Sequence, residues 1–276
     1  MKFLREHSMK AFIVSALVLV IGIANATAFD NQDIKKLADT GSCGNCDLRG
    51  AKLQYRNFSD AYLRSANMRD SILKQINLTN ANLTEADLRR SDLEKATLVS
   101  ADLEYAILQD ADMEKAVMTN VNLRRTDLRS ADFDSANVED GKFQNADLRK
   151  AYFKRANLMN ANFSNAKVTE VNFKRSNLTG AIMSKAELND ANFTRANLTD
   201  AKLDETDLRH ANFYRAVLVN TDFTDARLSN ASFWGADLSG ANFDDVSGLE
   251  QEQLENACGD KYTILPAGLT VQACDP

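Results

Sequence analysis

From Leu48 to Phe243 every fifth residue is apolar, and the count is never broken. The 40 positions hold only Leu, Phe, Met or Val. Two residues ahead of them the chain places alanine at 28 of the 39 positions from Ala51 to Ala241. A period of five excludes the two ordinary elements, because an amphipathic helix repeats at about 3.6 and a half-buried strand at about 2. A helix built on five would spread its apolar residues around every face. A solenoid meets the pattern if each coil has four short sides, every side burying one large and one small residue. Self-similarity at a fixed period therefore settles the architecture ahead of any other feature.

Each unit runs small residue, polar residue, large central residue, then two outward residues. The polar second position is Asn or Asp at 25 of 40 units, which suits a chain that turns constantly and whose short side chains bond nearby backbone. Runs such as Ala-Asp-Leu-Arg-Arg (86–90), Ala-Asn-Leu-Thr-Asp (196–200) and Ala-Asn-Phe-Asp-Asp (241–245) resemble the units of pentapeptide-repeat proteins. The resemblance covers residues 46–245. It implies an all-β solenoid, a right-handed quadrilateral β-helix with four units per coil. Ten coils stacked at about 4.8 Å would make a rod roughly 45–50 Å long.

Residues 1–28 read as a secretory signal. Lys2, Arg5 and Lys10 precede an apolar run from Ala11 to Ile23, and Ala26-Thr27-Ala28 forms a cleavage site. The run is too short for a comfortable membrane span. The chain after Ala28 keeps 30 of the 33 basic and 38 of the 39 acidic residues, a formal charge of −8. That mild acidity favours solubility and argues against bulk nucleic-acid binding.

The end coils of a solenoid expose apolar interior and need covers. Residues 29–45 supply one, a short helix over 31–39 with Asp30 as N-cap, Ile34, Leu37 and Ala38 on its apolar side, and Gly41 as the stop. Residues 246–276 supply the other. Ser247 and Glu250 fit a capping box for a helix to about Ala257, ended by Gly259; Tyr262 to Leu265, Leu269 and Val271 then cover the last coil. The four cysteines sit only in these ends. Bridges across the rod are too long, leaving Cys258–Cys274 and Cys43–Cys46 as the candidate disulfides. Cys43 and Cys46 also fall in register with inward positions, so two reduced thiols are the alternative for that pair. The Cys-x-x-Cys has no second copy and no nearby His, so no metal site is expected.

Folding the sequence at twenty residues gives four faces. The first carries every Asp-Leu-Arg, with Arg49, Arg69, Arg89, Arg129, Arg149 and Arg209 beside an Asp column, a lattice of solvated ion pairs. The second carries Arg155, Arg175, Arg195 and Arg215, with Lys154 and Lys174 alongside and Tyr152, Tyr214 and Trp234 interleaved. Cations among aromatics make this the candidate binding stripe. The bland reading is that Lys and Arg keep an exposed β-surface from pairing laterally. The third face is neutral, with Thr79, Val99, Thr119, Met159, Thr179, Thr199 and Val219, and is a candidate for self-association. The fourth turns acidic near its end, with Asp204, Glu205, Asp222, Asp225, Asp244 and Asp245. Inside, Phe occupies ten of the twelve alternate centres from Phe133 to Phe243, so Phe should stack on two opposite walls. Arg56 and Ile76 stand where alanine is expected, and a local distortion with Arg56 turned outward follows.

No catalytic motif is present. The chain after Ala28 has one histidine, His210, and its carboxylates lie on a convex rod without a pocket. The expectation is a non-enzymatic, periplasmic or secreted rod, without cofactor, that serves as a binding or scaffolding surface. Its partner would be a protein or an anionic polymer of the cell envelope, with no specific nucleic acid. The alternative, which the resemblance permits, is a topoisomerase-binding DNA mimic if the signal is not used; the export signal, the modest acidity and the basic stripe oppose it. N-terminal sequencing of the fractionated protein should find a chain starting at Phe29 outside the cytoplasm. An intact chain in the cytoplasm would contradict export.

Overall fold

The computed structural model describes residues 30–274, so the expected signal segment, residues 1–28, lies outside the described residues. Of the junctions from Ala51 to Ala241, all but those at Thr126, Val171 and Thr206 close in the same way. The amide N–H of the next unit's first residue donates to the carbonyl of the central residue, from Ala51 to Leu48 (3.1 Å) through Ala241 to Leu238 (2.9 Å). The turn bends because the fifth residue takes a positive φ, between 51° at Asp245 and 64° at Lys150 among non-glycine residues of the repeat. L-residues resist this region, Asn and Asp least.

The second residue braces the turn. All 25 Asn and Asp side chains at that position accept, through Oδ1, the amide N–H two residues on. Short polar side chains are thereby part of the backbone's hydrogen bonding rather than surface decoration.

Four turns bring the chain back over itself. Residues twenty apart pair in parallel, from Asp47 with Asn67 to Arg227 with Ser247. Leu48 N–H donates to Asn67 O at 2.7 Å, and Asn67 N–H returns to Cys46 O at 2.9 Å. Each side is only one bridged residue long before the next turn, so the repeat builds a four-sided β-helix without extended strands. Among the described residues the only two-residue strands are β1 (Cys258–Gly259) and β2 (Gln272–Ala273), paired in parallel in the tail.

Central residues and their small partners fill the interior. Phe133, Phe153, Phe173, Phe193, Phe213 and Phe233 stack ring on ring, with centroids 4.5–5.3 Å apart. Phe143 and Phe163, then Phe223 and Phe243, stack on the opposite wall and meet the first column edge to face. Coil spacing thus coincides with the preferred separation of aromatic rings. Where alanine is replaced by a hydroxyl residue, the hydroxyl is buried and satisfied: Ser91 and Ser176 donate to Leu88 O and Phe173 O, each at 2.7 Å.

Arg56 is turned out to solvent, as expected, while Ile76 is fully buried in the same column. The expected backbone distortion is not found. Arg56 N–H still donates to Leu53 O (3.3 Å), and Asn77 N–H to Arg56 O (2.9 Å). A side chain in the outermost coil can leave over its open edge without moving the ladder.

Helix α1 (Asn31–Thr40) precedes the repeat. Asp30 caps it by accepting from Gln32 N–H at 2.8 Å, and Gly41 ends it at φ 65°. Leu37 is buried and Ile34 packs on the core, but Ala38 is exposed: the helix touches the coil along a narrower stripe than the sequence suggests. Asp33 fixes its docking by accepting from Asp47 N–H at 2.8 Å.

The C-terminal segment departs further from expectation. Helix α2 spans only Gln251–Leu254, and its capping box joins Glu250 to Gln253, not Ser247 to Glu250. Gln253 explains the shift, because its amide donates to Leu228 O and Ala231 O, both at 2.8 Å, and covers carbonyls of the last regular coil. The chain then resumes the ladder with longer steps, Asp237 pairing with Cys258 and Asn242 with Ile264. Leu254 and Ala257 take the inward places in this loose further turn. Gly259 therefore lies in β1 instead of ending a helix. Leu265, Leu269 and Val271 pack on the core, whereas Tyr262 and Ile264 are exposed.

Both candidate disulfides are formed, Cys43–Cys46 with Cα atoms 5.3 Å apart and Cys258–Cys274 with 4.7 Å. No described helix is long and apolar enough to cross a membrane.

The turn geometry can be tested at Asn120, whose φ is 59°. Asn120→Val should lower the urea midpoint by an amount equivalent to about 1–2 kcal/mol, because a β-branched residue fits this region worst. Asn120→Gly should leave the midpoint unchanged or raise it.

Candidate binding surface

Coil stacking turns each outward position into a column, and the columns differ in how completely their charges are balanced. On the first face all five Asp-Leu-Arg units form forks within the unit. Arg49, Arg89, Arg129, Arg149 and Arg209 each donate through Nε, at 2.8 Å, and Nη2 to the Asp two residues before. The two-residue offset across a strand puts both side chains on one surface, where the planar fork fits the carboxylate. Asp207 is held below the usual carboxylate range by the hydrogen bond from Arg209, against burial, with Arg227 adding a second cation at 3.0 Å.

The third face carries uncharged ladders. Asn177 donates to Asn157 at 3.1 Å and Asn157 to Asn137 at 2.9 Å, with Val117 and Val217 as its exposed apolar residues. The acidic residues of the fourth face are partly engaged, Asp204 by Ser184 at 2.6 Å and Glu205 by Lys185 at 3.3 Å.

The second face divides along its length. Its front half is balanced: Lys74 and Lys95 reach Glu94 at 2.7 and 2.6 Å, and Lys115 reaches Glu114 at 2.6 Å. Glu94, pulled down by the hydrogen bonds from Lys74 and then Lys95, has a pKa of about 2. Its rear half is not balanced. Arg155, Arg175, Arg195 and Arg215 are exposed, and no ion pair among the described residues includes them. They occupy the fifth, positive-φ position, whose side chains stand clear of the coil.

The stripe read from the sequence is thus brought together only in part. Lys154 is drawn off by Asp134 at 3.2 Å, while Lys174 stays beside Arg175 without an acid. Tyr152 is exposed in the second-position column, between Asp132 and Asn172, away from the other two aromatics. Tyr214 and Trp234 stack with centroids 5.0 Å apart and planes within 3°. The Arg215 guanidinium lies 5.3 Å from the Tyr214 centroid and 5.6 Å from that of Trp234.

Gly235 makes room for this arrangement. A Cβ there would stand 3.1 Å from Arg215 Cγ, so the glycine that interrupts the Arg column lets Arg215 lie along the next coil toward the rings. Beyond Trp234 the surface is shaped in part by residues outside the repeat. Ser229, Asn230, Ser232, Glu250, Glu252, Gln253 and Asn256 enclose an open cleft of about 470 Å³ with the indole. Half of that lining comes from the irregular last turn, outside the register of five; the glycine at 235 was the one local signal.

Against known families, the pentapeptide repeat region matches residues 86–163 and 156–233, and the eight-copy pentapeptide repeats match 42–80 and 61–98. The chain belongs to the pentapeptide-repeat family. Among solved structures this pentapeptide-repeat protein is similar to HetL, a pentapeptide repeat protein involved in heterocyst differentiation regulation from Nostoc sp. strain PCC 7120. Identity is 24% over 80% of this chain and 99% of that one, with a TM-score of 0.47. It is also similar to QnrB1, a plasmid-mediated fluoroquinolone resistance protein, at 16% identity over 64% and 89% of the chains, TM-score 0.43. A pentapeptide repeat protein of the Arabidopsis thaliana thylakoid lumen shares 29% identity over 48% and 73%, TM-score 0.20. No curated protein matches this chain.

The balanced half of the second face yields a titration prediction. Glu94 has a folded pKa below its unfolded value, so its pairing contributes stability above the ordinary carboxylate pKa of about 4.3, and the contribution is lost as pH falls toward about 2. An NMR titration of the Glu94 carboxyl should give a midpoint near 2 in the native chain. Lys74→Met should move that midpoint up toward the ordinary value.

Proposed function

We propose that this pentapeptide-repeat protein is an exported, non-enzymatic rod that works as a binding or scaffolding surface in the cell envelope. In this reading ten coils, closed by α1 at the front and the α2 tail at the back, hold a fixed row of side chains. The observation that carries it is the run of Arg155, Arg175, Arg195 and Arg215, exposed without acidic partners on a rod whose other Arg columns are largely neutralised. A purely protective surface charge needs no such imbalance. The partner that suits the column is an anionic polymer or an acidic protein surface of the envelope, met by guanidinium groups repeated once per coil, at steps of about 4.8 Å. The two disulfides, one at each end of the repeat, support an oxidising compartment.

A topoisomerase-binding DNA mimic would need a long acidic face. Here the acidic residues without an ion pair among the described residues are scattered over all four faces, Asp110, Asp132, Asp140 and Asp225 among them, and the rear of the second face is an uncompensated basic column. The flat Asn and Thr ladders of the third face support self-association as an arrangement compatible with scaffolding, although Asp60, Glu139, Asp140, Asp200 and Asp237, against Arg56 as the single basic residue, make that face acidic and not neutral.

The test is elution from a polyanion resin. The variant carrying Arg155→Ser, Arg175→Ser, Arg195→Ser and Arg215→Ser should elute at clearly lower salt than the parent, with a shallower salt dependence because fewer counterions are released. Identical elution would mean that the column is a solvated face and nothing more.

A further inference from the structure

The rear end of the second face carries a second kind of recognition. We infer that Trp234 and the cleft beside it form a binding site for a neutral oligosaccharide. It goes beyond the binding of anions by the Arg column: the ligand is met by Trp234 and the cleft through different chemistry, and Arg215 enters only as a brace for the rings.

Trp234 is 44% exposed although it is the only tryptophan of the chain, and its ring is held in place from one side. Tyr214 stacks parallel to it, and Arg215 braces both rings. With that side covered, the indole presents its remaining surface to the cleft. A flat, rigid aromatic surface suits the C–H face of a pyranose ring, and its fixed orientation lowers the ordering cost of binding.

The rest of the lining suits hydroxyl groups. Ser229, Asn230, Ser232 and Asn256 are uncharged, and their side chains take no part in the hydrogen bonds that hold the cap together. They offer both donors and acceptors in the pairing that sugar hydroxyls require. The volume, about 470 Å³, lies within the range of small-ligand sites. A second open cleft of about 320 Å³, lined by Gly235, Ala236, Cys258, Gln272 and Ala273, shares Asn256 with the first.

Charge decides against the nearest alternatives. A phosphate or nucleotide would meet Glu250 and Glu252. A cationic group would find a single aromatic surface where cation recognition uses a cage.

The single tryptophan makes the test direct. Intrinsic fluorescence of the native chain is followed during titration with chitotetraose, cellotetraose and maltotetraose. The expected result is a saturable change with at least one of them. Asn256→Ala keeps the fluorophore and should weaken that binding about tenfold, the loss of one good hydrogen bond. Trp234→Ala, read by saturation-transfer NMR on the sugar protons, should abolish the signal while circular dichroism and the unfolding midpoint stay close to the parent's. No saturable change with any of the three sugars would overturn the inference. So would an undiminished sugar signal in Trp234→Ala, or a saturable change with tetramethylammonium and none with the sugars. The stripe variant lacking its four arginines does not enter this experiment, so failure of the polyanion reading and failure of this one remain separate results.

Discussion

The turn that closes each unit is the constraint on which the rest depends. One amide N–H reaches one carbonyl three residues back, and the residue between units accepts a positive φ. Made once, this is an ordinary turn. Made at every fifth residue, it forces the chain into a square path whose sides are too short for a strand. Interior side chains must then be one large and one small per side, and outward residues must line up in columns. The cost of holding so many L-residues at positive φ is offset by bonds in the same unit, the Asx-type acceptors at the second position and the interior stacks.

That economy makes the core legible in the sequence and the ends less so. A count of five names every central residue, and the alternation of Phe with Leu or Val foretells the two stacked walls. The tight inward corner likewise explains how buried Ser and Thr replace alanine, since each hydroxyl donates to a backbone carbonyl. Arg56 shows the limit of column logic at an edge, where a large cation leaves the corner and the ladder stays intact. The C-terminal turn was misplaced because its register is set by a side chain that reaches across coils. Gln253 satisfies Leu228 O and Ala231 O, and the helix starts where that reach requires it, a long-range relation that local capping patterns do not carry. Ala38 fails for the opposite reason, an apolar residue placed by helical period on a side that finds nothing to pack against.

The surface follows a different rule from the core. Column membership is readable at once, but pairing within a column is not. Two stretches of the second face differ in composition: Lys74, Lys95 and Lys115 stand among Asp92, Glu94, Asp112 and Glu114 and find the glutamates, while Arg155, Arg175 and Arg195 share their stretch with no acidic residue. The fourth positions decide it: Glu94 and Glu114 stand beside Lys95 and Lys115, whereas Lys154, Lys174 and Thr194 stand beside the arginines. The glycine at position 235 leaves room for Arg215 beside the stacked Tyr214 and Trp234, and the cleft next to them is lined in part by the irregular last turn. Function on such a rod is decided where the repeat is imperfect.

The central claim is that residues twenty apart are direct neighbours, so that every face is a set of columns. Cross-linking between the uncharged Thr and Val positions of the third face tests it with least disturbance. Thr179→Cys combined with Thr199→Cys places two thiols one coil apart, within the Cα separation that a disulfide spans, whereas Thr179→Cys with Val219→Cys places them two coils apart, about 9.6 Å and out of reach. Peptide mapping after mild oxidation should find a 179–199 bridge in the first variant and no 179–219 bridge in the second. A bridge at 179–219, or none at 179–199, would contradict the twenty-residue coil.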